Sequence, residues 1–519
     1  MNNKIISFGN NAFIAGLFMV ACSMAISKFG MSLGQFFILG GWLLSADFSE
    51  KWKRLKLNKA VVILLISLFA IHLIGLIHTS DFHYAFNDIR IKLPLLLMPV
   101  LILSMPALTI TTRNYLFHFF NVSVLISTLI SFIIYLGWTS IPVNDIRDIS
   151  PFISHIRLAL LVCVAMVLLY EDFKNYRRWM NVVLFVWFLF FLVLIQSLTG
   201  IIIIGIFVFI ALIIYSIKKN NAVLTKSLSV LGIIGIITTG VYFYKTIFIN
   251  SIQPIHVDES QLLKHTPRGN TYYSLLERQD VENGHPVWIN ICDKELDESW
   301  KERTGFSVYD NNRYGYWYYY SVIRFLSSKG WNKDRDAVMS LSQREIDAIK
   351  NGCSNVEYME SNGLGGRIKN LAWEYRQYYF NREVSGQSFT QRLAYWSTGL
   401  EIFKNNWLLG VGTGDVNIAF KEQYEKDKSK LEEKWRLHTH NQYITLGIAF
   451  GVSGIVLLVL VLFYPLIISY KNADFIFSSF ILIAALSMLS EDTLETQAGI
   501  TFFAFLYCLF WRERSVQES

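Results

Sequence analysis

The chain has 519 residues, of which 53% are hydrophobic and only 17% charged, and it carries a formal net charge of +7. Soluble domains carry about 25% charged residues, so the composition excludes an ordinary soluble enzyme and predicts an integral membrane protein. Nucleic acid is not needed to explain the positive charge, because cytoplasmic loops collect Lys and Arg and no basic stripe with interleaved aromatics occurs.

The amino terminus, MNNKIISFGNNAFIAGLFMVACSMAIS, lacks a small-residue cleavage site and is followed at once by more apolar sequence. It reads as a first transmembrane helix and not as a removed signal. A helical span needs roughly 20 mostly apolar residues. Candidate spans fall at about 11–28, 31–46, 60–79, 93–106, 115–138, 155–170, 181–197, 200–216, 227–248, 442–466, 475–490 and 499–511, roughly twelve in all. The apolar run from Asn181 to Ser216 is too long for one helix, and SLTG at Ser197–Gly200 is where it should turn. The fold class expected is therefore an all-α polytopic membrane protein.

Loop charge orients the set. EKWKRLKLNK, EDFKNYRRW and SIKKNN follow the second, sixth and eighth spans and belong inside. Both termini then lie in the cytoplasm, and the polar segment lies outside, in the periplasm of a Gram-negative cell. The expected divisions are a membrane domain over 1–249, a mostly helical periplasmic domain with a catalytic loop over 250–441, and a second membrane domain with a tail over 442–519. Aromatic content such as RYGYWYYYSVIRFL argues against a disordered linker. Cys292 and Cys353 both fall in that oxidising compartment, which permits a disulfide between them.

Chemistry concentrates at the outer ends of the spans. Arg392 opens RLAYWSTGLEIF and could bind a diphosphate bidentately, although interfacial arginines also snorkel to headgroups. Arg157, in PFISHIRLALLVCV, stands where a charge is costly and usually faces a bundle interior with a partner; the plainer reading is again a helix-end snorkeller. Arg90 and Lys92 could add positive potential for a lipid phosphate, or pair with Asp88 at the surface. Pro94 is expected in the first turn of that helix, where its missing N–H is tolerated.

The GVGTGD turn lacks the Lys-Ser/Thr of a phosphate loop, so it reads as a turn allowing close approach to a neighbour or substrate. HTHNQY supplies a candidate base, since a neutral imidazole is available near neutral pH. His438 and His440 diverge on a helix, and no metal-ligand spacing accompanies them. Glu491 and Glu495, four apart, would share a helical face and could neutralise Arg157 or Arg392, or hold an acceptor sugar. DRD at Asp334–Asp336 matches an acidic metal-binding pattern but looks like a charged helix start.

Together, RLAYW…GVGTGD, HNQY opening a helix and one large external loop late in the chain resemble the O-antigen ligase and polymerase superfamily. The patterns TPRGNTYY, VENGHPVWINIC, ELDESW, RFLSSKGWNKD and SFTQR resemble ligase-like members found in Bacteroidetes. The resemblance implies an inverting, metal-independent and cofactor-free transfer of a glycan from undecaprenyl diphosphate, at the periplasmic face of the inner membrane. The acceptor would be lipid A-core in a ligase, another carrier-linked glycan in a polymerase, or a protein. It places the family's histidine on His440 and its diphosphate-binding arginines on Arg157 and Arg392, with Arg90, Lys92, Glu491, Glu495 and His438 as accessories at most. The partners implied are the carrier-linked glycan, its acceptor and membrane lipids, with no nucleic acid. A lipid-linked oligosaccharide transporter is the more distant alternative. It fits less well, because about nine spans precede the insertion and about three follow it.

Overall fold

The computed structural model describes residues 3–45, 47–141, 146–176, 178–219, 221–257, 260, 262–312, 315, 317–360, 364–381, 388–468 and 474–513. A helix lies at every one of the candidate spans, from Asn3–Ser23 to Gln497–Glu513. Six helices are long and apolar enough to cross a membrane on their own, or seven if the bent pair Lys28–Leu44 and Phe48–Leu57 counts as one span. Trp179–Leu194 and Phe475–Ser487 are apolar but shorter. The only regular strands among the described residues, Val281–Glu282 and His285–Pro286, form one short antiparallel pair. The chain is an all-α, multi-pass membrane protein.

The chain divides into two compact units: residues 1–221, 392–429 and 436–519 in the first, and 222–391 with 430–435 in the second. Hydropathy draws a line at 249, whereas packing draws it at 221. The apolar helix Ala222–Tyr244 buries no residue, so hydropathy and side-chain contact part company there.

In the first unit, turn chemistry sets the boundaries. Gln196 adopts φ 52°, and Ser197 caps the helix Leu198–Lys218 through the Gly200 amide at 3.2 Å, so the long apolar run turns at SLTG. The helix carrying Arg90 and Lys92 starts earlier than expected. It runs Phe82–Leu103, capped by Asp81, and holds Pro94 and Pro99 in its interior. Each proline removes one amide donor from the helical ladder.

The helix Gln442–Ile468 breaks at Gly451, with φ 65° and ψ −155°. The break frees carbonyls, which a neighbouring segment satisfies, as buried backbone requires. Val411 N–H donates to Ile448 O at 2.9 Å and Gly412 N–H to Ala449 O at 3.0 Å, while Val452 N–H reaches Trp407 O at 2.7 Å. The glycine turn is thus a docking element. A Cβ at Gly410 would lie 2.3 Å from the Ala449 carbonyl, and one at Gly414 would lie 2.2 Å from Asp81 O. Asp415 then accepts from the Ser80 and Asp81 amides at 2.9 Å.

The second unit has its own core. The helix Tyr318–Ser328 turns Val322, Ile323, Phe325 and Leu326 inward against Leu296 and Trp300. Ser342 and Glu345 form a capping box that starts the helix Gln343–Lys350. Asp334 caps Arg335–Met339 through the Ala337 amide at 2.9 Å, so DRD is a helix start. All five cysteines are free thiols, Cys292 buried and Cys353 half-buried. Cys292 and Cys353 are not joined to each other.

Candidate active site

Three segments of the first unit converge: residues 392–405 of the helix Ser388–Asn405, the turn from Thr439 to Tyr443, and the loop from Met488 to Thr496 between the last two helices. The HNQY sequence explains how the second and third are locked together. Asn441 caps the following helix, its side-chain oxygen accepting from Tyr443 N at 3.0 Å and Ile444 N at 3.2 Å. Its amide nitrogen donates to Leu489 O at 3.0 Å. Gln442 grips the same loop at both ends of its side chain, accepting from Leu494 N at 2.7 Å and donating to Glu495 at 2.9 Å. Tyr443 OH reaches Ala485 O at 3.0 Å.

His440 is held at the start of this clamp with φ 50°. Left-handed backbone at a residue other than glycine costs on the order of 1–3 kcal/mol and persists where its surroundings enforce it. Here Trp396 Nε1 donates to Thr439 O at 2.9 Å, and Asp492 accepts from the His440 backbone N–H. The His440 ring is half-exposed, with Nδ1 4.0 Å from Asp492 Oδ2 and its centroid 5.8 Å from that of Tyr395. Burial, followed by the Arg392 and His438 charges, lowers its pKa to about 4. The imidazole is therefore neutral and able to take a proton at neutral pH. Asp492 has the opposite displacement. Burial and then the Glu495 charge push it up to about 7, against the hydrogen bond from Thr445 (2.8 Å) and the His440 amide.

Arg392 and Arg157 face the same carboxylate. Arg392 Nη2 lies 3.5 Å from Glu491 Oε1, and the pKa of Glu491, raised by burial, is drawn back down by Arg392 and then Arg157. Arg157 also donates to Thr496 Oγ1 at 2.5 Å. It lines a cavity of about 20 Å³ with Glu491 and Thr493 on one side and Met24, Leu161 and Phe502 among its apolar walls. Among the described residues, the buried Thr493 hydroxyl there has no hydrogen-bond partner.

The accessory residues separate. Lys92 is fully buried, bonded to Asp88 at 2.9 Å and Glu495 at 2.7 Å, so it is neither at the surface nor free to meet a phosphate. Burial raises the Glu495 pKa, but the Lys92 charge outweighs it and holds the carboxyl below its usual range. Glu491 and Glu495 do not share a helical face, because the helix ends at Ser487 and Thr493–Glu495 is a short 3-10 turn. One carboxylate points to Arg392 and the other to Lys92. Arg90 bonds Asn87 at 2.7 Å. His438 bonds Asn417 and stacks on Phe420 at 5.1 Å, away from the role of partner to His440.

Sequence reasoning passed over Asp492. The signal was there, in three acids within SEDTLE, but helical spacing drew attention to the flanking glutamates instead. Among the described residues, no group of three or more His, Cys, Asp or Glu side chains is arranged to hold a metal ion.

No curated protein matches the chain. Residues 355–459 match the family described as O-antigen ligase. That stretch contains Arg392, the glycine turn, His440 and the first part of the broken helix. Over those residues the chain is similar to that family, which supports an activity of the ligase or polymerase type.

Proposed function

We propose that the protein transfers a glycan from undecaprenyl diphosphate to lipid A-core at the periplasmic face of the inner membrane, with inversion and without a metal ion. Both termini lie in the cytoplasm in this reading. His440 takes the proton of the acceptor hydroxyl as its oxygen bonds to the anomeric carbon. The bond from that carbon to the diphosphate oxygen breaks, and its electron pair leaves with the carrier diphosphate. Arg157 and Arg392 balance the charge that builds there, a role of preorganised electrostatic stabilisation. Asp492 orients the His440 ring and favours the tautomer with its proton on Nδ1.

The observation that carries the reading is the pairing of two arginines with one loosely held carboxylate, Glu491, beside a neutral histidine. Two guanidinium groups around one anion are the arrangement a diphosphate needs. The apolar walls below Arg157 suit a polyprenyl tail, but a space of about 20 Å³ holds about one water. The tail therefore enters only when those helices part.

A polymerase or a protein O-oligosaccharyltransferase would use the same donor half of the site and differ only in acceptor. Purified protein, undecaprenyl diphosphate-linked glycan and lipid A-core in detergent test the reading, because transport cannot be scored there. Glycan on lipid A-core is expected. Elongated carrier-linked glycan alone would make it a polymerase, and no transfer to any acceptor would leave the transporter.

A further inference from the structure

The second unit carries a run of aromatic rings that reaches outward from its core, where Tyr319 is buried and Trp288 is packed against it. Tyr309, Trp317 and Tyr320 remain 44%, 47% and 49% exposed, although the helix Tyr318–Ser328 buries a complete apolar face of its own. Trp317 and Tyr320 lie nearly parallel at 8°, with centroids 6.3 Å apart, and Tyr309 and Tyr319 lie at 13° and 5.8 Å. The two pairs meet at a right angle through Tyr309 and Trp317, at 89°. Trp288 extends the run beyond Tyr320. Three large exposed rings, Tyr309, Trp317 and Tyr320, in mutual contact mark a surface that something covers.

The rim identifies the chemistry of the occupant. Tyr273 OH lies 3.1 Å from both oxygens of Asp293 and 2.9 Å from Tyr319 OH, a connected set of hydroxyl and carboxylate groups at the edge of the rings. Asp293 and Asp297 both act on the Tyr309 phenol, whose pKa is raised first by burial and then by these charges. Carboxylates repel an anionic phospholipid surface but accept hydrogen bonds from neutral hydroxyls. A sugar ring presents a C–H face that packs flat on an aromatic ring and equatorial hydroxyls that seek acceptors at its edge. We infer that the Tyr309–Trp317–Tyr320 face is a binding platform for a neutral glycan chain. It rests on the transferase reading only for the reason a glycan is at hand.

The test uses the full-length protein in detergent, titrated with polysaccharide released by mild acid from the lipopolysaccharide of the producing strain. Phosphatidylcholine–phosphatidylglycerol vesicles are the second probe. Wild type is expected to bind the polysaccharide, as is His440→Ala. Trp317→Ala and Tyr320→Ala should each bind it about tenfold more weakly at unchanged melting temperature, the loss of one stacked ring. If Trp317→Ala fails to fold, Trp317→Phe keeps a flat ring and should stay within about threefold of wild type, while Tyr320→Ala still reads the platform.

Wild type that ignores the polysaccharide, ring variants that bind like wild type, or ring variants that lose only vesicle binding would each overturn the platform. Protein that binds polysaccharide through Trp317 but transfers nothing supports the platform and sinks the transferase reading. Protein that transfers but does not bind the released chain does the reverse.

Discussion

Two charged clusters hang on one loop, Met488–Thr496, and they are built on opposite terms. At Lys92 the groups close tightly on a fully buried ammonium, with Asp88 at 2.9 Å, Glu495 at 2.7 Å and Gln442 closing on Glu495 at 2.9 Å. At His440 the contacts are long, with Asp492 at 4.0 Å and the Arg392–Glu491 pair at 3.5 Å, and the His440 and Arg392 side chains reach water. A cluster with every group satisfied has nothing left to offer a ligand and acts as a clamp. A loosely paired one keeps its charges available, and the clamp fixes where they stand.

The comparison breaks most visibly at Lys92. Lys92→Met leaves two buried carboxylates facing each other without a cation, and removing one partner of such a set costs about 3–5 kcal/mol. Thermal unfolding in detergent should show that loss, and it should recover in part when Asp88→Asn and Glu495→Gln are added. A stable single variant would mean that the cluster is not a clamp.

Arg392→Ala should do the reverse. It should leave the stability within about 1 kcal/mol of wild type, since half-exposed pairs are worth little. It should lower kcat/KM for the carrier-linked donor about 10²-fold, as loss of one preorganised charge does.

Asp492→Asn sharpens the comparison through pH. In wild type Asp492 ionises near 7 and His440 near 4, so between pH 8 and 6 the base stays neutral while its orienting carboxylate is lost. Transfer should fall as pH drops through about 7, and that limb should vanish in Asp492→Asn, with a rate about tenfold below wild type at pH 8. The smallest effect belongs to Glu491→Gln. Its carboxylate occupies the arginines that a diphosphate needs, so its removal should lower the donor KM by at most about fivefold, the worth of a weak pair.

The sequence made the helices legible, because hydropathy over some twenty residues is a local property, and it set His440 just before the apolar helix Gln442–Ile468. Tertiary closure was not legible. Nothing in HNQY by itself says that Gln442 holds Leu494 and Glu495. Nor does SEDTLE announce that its helix has already ended, so the i, i+4 rule joined two glutamates that part company. Lys92 misled for the same reason, since its second carboxylate partner lies more than four hundred residues away. The glycine turn does make a close approach, and its neighbour is the broken helix at Gly451.

The central claim, that the open cluster performs the transfer while the closed one only positions it, rests most directly on His440. Transfer of glycan from undecaprenyl diphosphate by purified His440→Ala should fall by about 10²–10⁴-fold, with a melting temperature no lower than that of wild type. Near wild-type transfer by a folded His440→Ala protein would contradict the account.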